Sequence, residues 1–324
     1  MQTLVYDSAS LPLASWTALC DRDPQATVFH RAVWSQVWER IRADARAEWR
    51  VLADGSGRWI GGIPLVRFSR FGITRYFSGP LGAYGGWVGE RTGEYSGALA
   101  EWMRTLTRPW VAQLVVTPFH PAERGAYPGR AVERERFVLD LCDAHAGGSW
   151  PDTVRPDTLR PDTLRNLHMA RRYNWRIDCV TDPDGVERTR SLWEQTAARH
   201  GLRFDRERWR FYRALFDLLG PTGALFWWIA QDDRGPAATI ICLHSRARMW
   251  YHDGAMDLAR SEGRPMYALF DRAINTAMEL GCRAFDFGSG PANAPGLARF
   301  KDGWGAAAET YCEYHYRKIW WPGR

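Results

Sequence analysis

The sequence predicts a mixed α/β protein of two domains, and three observations carry that reading. At 324 residues the chain is long enough for two domains of ordinary size. In both halves, stretches with helical apolar spacing alternate with apolar runs bounded by turn residues. Between the halves lies PDTVRPDTLRPDTLR, residues 151–165. Its three near-identical pentads are too few for a solenoid, and each proline disfavours helix at the preceding arginine. The expected division is therefore residues 1–150 and 151–324.

The elements follow in order. HRAVWSQVWERI, 30–41, places Val33, Val37 and Trp38 near helical spacing, with Trp34 and Ile41 widening the face. WRVLADGSGRWIGGIPLVRF, 49–68, reads as two strands around an Asp-Gly-Ser-Gly turn. SGPLGAYGGWVG, 78–89, is rich in Gly and Pro yet aromatic, which predicts a packed loop. SGALAEWMRTL, 96–106, reads as a helix and WVAQLVVTPF, 110–119, as a buried strand. The third pentad runs into the basic helix TLRNLHMARRYNW. GVERTRSLWEQTAARHG and DRERWRFYRALFDLLG read as two further helices. GALFWWIAQDDRGPAATIICLHSRARMWYHDGAM reads as three strands joined by short turns. PMYALFDRAINTAMELG is an amphipathic helix closed by Gly281 as C-cap. CRAFDFGSG is a strand, GLARFKDGWG a loop and ETYCEYHYRKIWW a last strand. Two helices, a three-stranded meander, a helix, a strand, a loop and a strand form the element order of an N-acyltransferase (GNAT-type) domain.

Composition narrows the function classes. Hydrophobic residues at 45% and charged residues at 25% are those of a soluble globular protein. No apolar run approaches the ~18 residues of a membrane span. The N-terminus lacks a basic start followed by an apolar stretch, so a cytoplasmic location is expected. Cys20, Cys142, Cys179, Cys242, Cys282 and Cys312 contain no CxxC pair, so neither a metal site nor a redox pair is expected. A net charge of +6 and a pI near 9.1 suit either an anionic partner or a plain basic enzyme. Of 43 Lys and Arg residues, only Lys301 and Lys318 are lysine.

Three stretches resemble one family. FDFGSGPANAPGLARFKDGWGAAAETYCEY is similar to a strand ending in D-F-G followed by G-L-x-x-F-K-x-x-[FW]-G. TLRNLHMARRYNWRI is similar to the basic helix R-R-N-I-R-K-A-x-R, and ATVFHRAVWSQVWE to the opening S-F-x-Q-S-x-x-W-x-x-V-K. These are motifs of the Fem family of aminoacyl-tRNA-dependent acyltransferases, and they span nearly the whole chain. The resemblance implies two tandem GNAT-like domains and transfer of an aminoacyl group from tRNA to an amine. The family's usual acceptor is a peptidoglycan precursor. Trp38 stands where the family has a lysine associated with the precursor's phosphates. Thr117 precedes Pro118 where the family often has Asp-Pro, and the Arg-x-x-x-Tyr element is kept as Arg208 and Tyr212. These departures make a small or peptide-like amine a competing acceptor.

The candidate site residues follow from this chemistry. Aminoacyl-tRNA is an activated ester, so aminolysis needs neither ATP nor metal, and no cofactor is expected beyond the co-substrate. The useful catalyst is a fixed positive donor at the tetrahedral oxyanion, which suits a compact ammonium with three donors. Lys301 matches the family lysine in that role; its plain alternative is a solvated lysine. Phe300 matches the aromatic that places the aminoacyl-adenosine end, where a stack contributes roughly 1–3 kcal/mol; its alternative is a core phenylalanine. Asp286 could orient the amine or act as general base, or cap the following turn. His252 could take a proton or be structural, with Asp253 alternating to the other strand face. Arg165, Arg171, Arg172 and Arg176 could meet tRNA phosphates or form a solvated face. Arg208, Tyr212 and Trp38 are the acceptor-side candidates.

The rival is an acyl-CoA-dependent GNAT enzyme. Its cofactor pyrophosphate would sit on R/Q-x-x-G-x-G/A at a helix N-terminus. RSEGRPMYALF offers Arg260 and Gly263, but Pro265 stands where Gly or Ala is expected and has no N–H to give. A third class, a binding module without activity, is opposed by the intact Phe300–Lys301 pair.

Overall fold

A computed structural model describes residues 2–81, 83–90, 111–119, 127, 129–142, 159–290 and 295–317. The chain forms two compact units, residues 1–134 with 310–324 and residues 135–309. The expected division at residue 150, the first pentad and the helix expected at 96–106 lie outside the described residues.

The first unit begins with β1 (Gln2–Asp7), α1 (Leu13–Arg22), α2 (Ala32–Ile41), β2 (Ala45–Ala53), β3 (Trp59–Arg70), β4 (Ile73–Ser78), β5 (Val88–Gly89) and β6 (Val111–Val116). Its strand order is β1-β2-β3-β4-β6 with β5 on β3; β4 and β6 pair in parallel and the other described strand pairs are antiparallel. The hairpin read from Asp-Gly-Ser-Gly forms between β2 and β3. Asp54 N–H donates to Arg58 O, and the Asp54 carboxylate accepts from Ser56 N–H at 2.9 Å. Helices α1 and α2 close one sheet face. Trp16 meets Trp49 edge-on, and Trp34, Val37, Trp38 and Ile41 are buried. On the opposite face Leu52, Ile63, Leu65, Leu114 and Val116 form a second cluster.

The chain then continues through β7 (Arg130–Asp140), α3 (Pro161–Tyr173), β8 (Arg176–Cys179), α4 (Pro183–Arg188), α5 (Arg190–Arg199), α6 (Arg206–Leu219), β9 (Leu225–Asp232), β10 (Gly235–Ser245), β11 (Arg248–Met256), α7 (Pro265–Glu279), β12 (Ala284–Ser289), α8 (Pro295–Gly303) and β13 (Ala307–Arg317). From residue 310, β13 belongs to the first unit, where Arg317–Tyr314 pair with Gln113–Val116 of β6. The second unit has the strand order β7-β12-β11-β10-β9-β8, antiparallel except for β11 and β12. Alternation along β9 feeds both sheet faces. Trp227 packs on Trp209, Tyr212 and Phe216 of α6, whereas Trp228 joins Leu269, Phe270 and Ala273 of α7.

Two expected elements differ. The single helix read through GVERTRSLWEQTAARHG breaks at Thr189, whose hydroxyl donates to Val186 O at 2.8 Å and competes with the helical ladder. The loop read at GLARFKDGWG is the helix α8. Pro295 opens it with a pre-set φ, Leu297, Ala298, Arg299 and Lys301 are good helix formers, and Gly305 leaves it at φ +79°. The third pentad likewise starts a helix, with Pro161 in the first turn of α3.

Candidate active site

Within the second unit, the parallel ladder of β11 and β12 covers only Arg248–Trp250 and Ala284–Asp286. Beyond it β11 runs on to Met256 and β12 to Ser289 without pairing to each other. Lys301 is brought to this end of β12 by α8. Its side chain is 2% exposed, and its Nζ donates to Gly288 O and Ser289 O, each at 2.9 Å. The Phe137 ring centroid lies 5.9 Å from the ammonium. An ammonium has three donors, and two of them hold the strand end. Burial lowers the Lys301 pKa to about 8, and the nearby Asp286 carboxylate opposes that fall.

Asp286 is fully buried. Oδ1 accepts from Gly288 N–H at 2.7 Å and Oδ2 lies 3.4 Å from Arg248 Nη1. Burial raises its pKa, while Arg136 and Arg248 act in the opposite sense. Arg136 is anchored on Glu309 by Nε at 2.9 Å and Nη2 at 2.8 Å. Asp286 thus caps the turn through Gly288 and supports the Lys301 ammonium electrostatically. Phe300 packs against Tyr267, Phe270 and Trp304 and is half-buried, so its ring belongs largely to the core.

A second group forms on the part of β11 that pairs with β10 but not with β12. Tyr212 Oη on α6 donates to Asp253 Oδ2, and Arg208 Nε lies 4.0 Å from the same oxygen. The His252 ring stands 6.0 Å from Phe211 and 6.4 Å from Tyr212. Alternation had put His252 and Asp253 on opposite faces. The ladder to β10 skips His252 between Tyr251↔Cys242 and Asp253↔Ile241, and this bulge turns both toward α6. Burial lowers the His252 pKa to about 4, which leaves a neutral imidazole at neutral pH and a weak base. Burial also pushes the Tyr212 phenol well above its usual range, and Asp253 adds to the rise.

The structure therefore joins Arg208, Tyr212 and His252 around Asp253, a residue the sequence reading set aside. Trp38 is in the first unit, 5% exposed, with its ring 5.7 Å from Phe68 in an edge-on core contact. Arg165, Arg171 and Arg172 are exposed on α3, and Arg171 is paired with Asp271 at 3.3 Å. Arg136, Arg248 and Glu309 carried no sequence signal, because only the strand order brings them to Asp286.

The segment that would hold a cofactor pyrophosphate is occupied by the protein itself. Arg260 is 6% exposed, with its guanidinium on Asp232, Gly235 O and Pro236 O. Trp175 Nε1 donates to Gly263 O at 2.6 Å, and a Cβ on Gly263 would lie 2.5 Å from the Trp175 ring. Helix α7 begins with Pro265, and the amides of Tyr267 and Ala268 both donate to Arg264 O.

Residues 162–302 match the acetyltransferase (GNAT) domain family. The whole chain superposes on the crystal structure of FemX with a TM-score of 0.71, at 11% identity over 96% of this chain and 97% of that one. The fold is that of a tandem GNAT protein. A tandem GNAT protein from the clavulanic acid biosynthesis pathway aligns with a TM-score of 0.55 and 12% identity, covering 98% of each chain. The structure of L-PGS from Bacillus licheniformis aligns at 0.57 and 12% identity, covering 94% of this chain and 91% of that one. No match to the sequence was found among curated proteins. The segment similar to the acetyltransferase (GNAT) family lies within the second unit, and Lys301 falls near its end.

Proposed function

We propose that this chain is an aminoacyltransferase that moves the aminoacyl group of an aminoacyl-tRNA onto an amine. The acceptor nitrogen attacks the ester carbonyl, the C–N bond forms, the bond to the ribose oxygen breaks, and a proton passes to that oxygen. The observation that carries the reading is the buried Lys301 ammonium, held by two carbonyls. A donor fixed before reaction stabilises the oxyanion without reorganising. The likeness to FemX supports the same reading.

The occupied segment at Arg260–Pro265 supports an acyl-tRNA over an acyl-CoA donor. An anion site at a helix start needs free amides, and Pro265 has no N–H while Tyr267 and Ala268 are bonded to Arg264 O. On the acceptor side, the Arg208–Tyr212–Asp253 group joins α6 to the part of β11 that β12 leaves uncovered. Trp38, in the core, offers nothing to the phosphates of a nucleotide-linked precursor, which supports a small or peptide-like amine. Acyl-CoA transfer is the second reading, favoured by the acetyltransferase family match.

An amide-forming assay with candidate amines and a pool of charged tRNA, with and without ribonuclease, tests the proposal. Product that ribonuclease abolishes is expected, and Lys301→Ala is expected to lose turnover while keeping its thermal midpoint within a few degrees. Ribonuclease-insensitive product that requires acyl-CoA would establish the second reading instead.

A further inference from the structure

The β3–β4 hairpin of the first unit ends in Phe71 and Gly72, both with positive φ, +52° and +74°. Two positive φ values are what a two-residue type I′ turn requires, and asparagine followed by glycine is the residue pair that takes them at least strain. Here the first position is a phenylalanine, a bulky side chain in a backbone region it seldom occupies, and its ring is 87% exposed. Neither turn formation nor core packing accounts for it.

The surroundings are basic on both sides. The register pairs Arg70 with Ile73, Phe68 with Arg75, and Arg67 with Tyr76, and Arg46 of β2 pairs with Arg67. Alternation sets Arg70, Ile73 and Arg75 on one face and Arg67 with Arg46 on the other. The Arg70 guanidinium carbon lies 4.9 Å from the Phe71 ring centroid. The acidic groups nearby are engaged: Asp44 with Arg42 at 2.9 Å, and Glu48 with Arg50 at 2.7 Å and Arg67 at 4.0 Å. At ~3.4 Å per residue, Arg67 and Arg75 lie on the order of 10–14 Å behind the apex.

We propose that this hairpin docks the protein on an anionic phospholipid surface, with Phe71 among the upper acyl chains and the arginines at headgroup depth. An apolar apex with basic shoulders on both faces matches the layering of a bilayer interface. Base stacking on Phe71 is the alternative role of such an apex, and the test below separates the two. The inference does not depend on the donor or acceptor proposed above.

The test is sedimentation of the full chain with vesicles of phosphatidylglycerol in phosphatidylcholine, against phosphatidylcholine alone. The chain is expected to sediment with the anionic vesicles only and to be released by high salt. Phe71→Gly is expected to weaken vesicle binding about tenfold, while its thermal midpoint holds or rises because glycine takes positive φ freely. Arg70→Ser and Arg75→Ser should each weaken binding about fivefold. No binding by the parent, equal binding to neutral vesicles, or undiminished binding by Phe71→Gly overturns the proposal. Loss of affinity for unfractionated tRNA in Phe71→Gly, with vesicle binding intact, would assign the hairpin to RNA.

Discussion

Lys301 acts in its charged form if its role is to meet an oxyanion, so the rate should fall as pH rises through about 8, where burial has placed its pKa. Stability moves the other way. Its folded pKa lies below the usual 10.5, so between these values the unfolded chain binds more protons and the Lys301 contribution to stability grows with pH. A rate profile falling above pH 8 together with an unchanged or rising thermal midpoint would separate loss of catalysis from unfolding. Asp286→Asn removes the carboxylate that supports the ammonium, and should move the alkaline limb of the rate profile to lower pH; an unmoved limb would show that the two groups are not coupled. Lys301 was legible because it is one of two lysines and sits in a recognisable Phe-Lys motif. Asp253 was not: strand alternation predicts the wrong face, and the bulge that corrects it depends on how β11 pairs with β10.

Among the elements, α8 decides where Lys301 stands, and it is seated on α3 by close contact. A Cβ on Gly303 would lie 2.3 Å from Thr163 Oγ1, and Gly303 O accepts from Arg160 N–H at 3.0 Å. Gly303→Ala is therefore expected to destabilise the chain by about 1–3 kcal/mol, read from the denaturant midpoint. It should also lower kcat, because the helix carrying the ammonium must shift. A full-rate variant would mean that α8 tolerates displacement. The meander, α6, α7 and the last strand were legible from apolar period and turn residues. Helix α8 was not, since three glycines in ten residues read as a loop; the intervening residues are good helix formers and the glycines fall at its ends.

For the whole molecule, a net charge of +6 gives a testable signature. Arg165 and Arg172 lie seven residues apart on one face of α3 and are exposed, whereas Arg171 is engaged with Asp271. If tRNA is the donor, Arg165→Ala and Arg172→Ala should each reduce the log–log salt slope of tRNA binding by about one, and Arg171→Ala should leave it nearly unchanged. Equal slopes in all three would remove α3 from the tRNA surface. The fold class was legible from element order, but the return of β13 to the first unit was not, because no local pattern reports which strand a terminal segment joins. That return has a consequence for synthesis on the ribosome. The first unit lacks the strand that pairs with β6 until residues 135–309 have been made, a wait on the order of ten to thirty seconds at ~5–20 residues per second. During that interval the backbone edge at Gln113–Val116 is open to other chains. Nascent chains should therefore depend on a holding chaperone, and a chain stopped at residue 309 should aggregate.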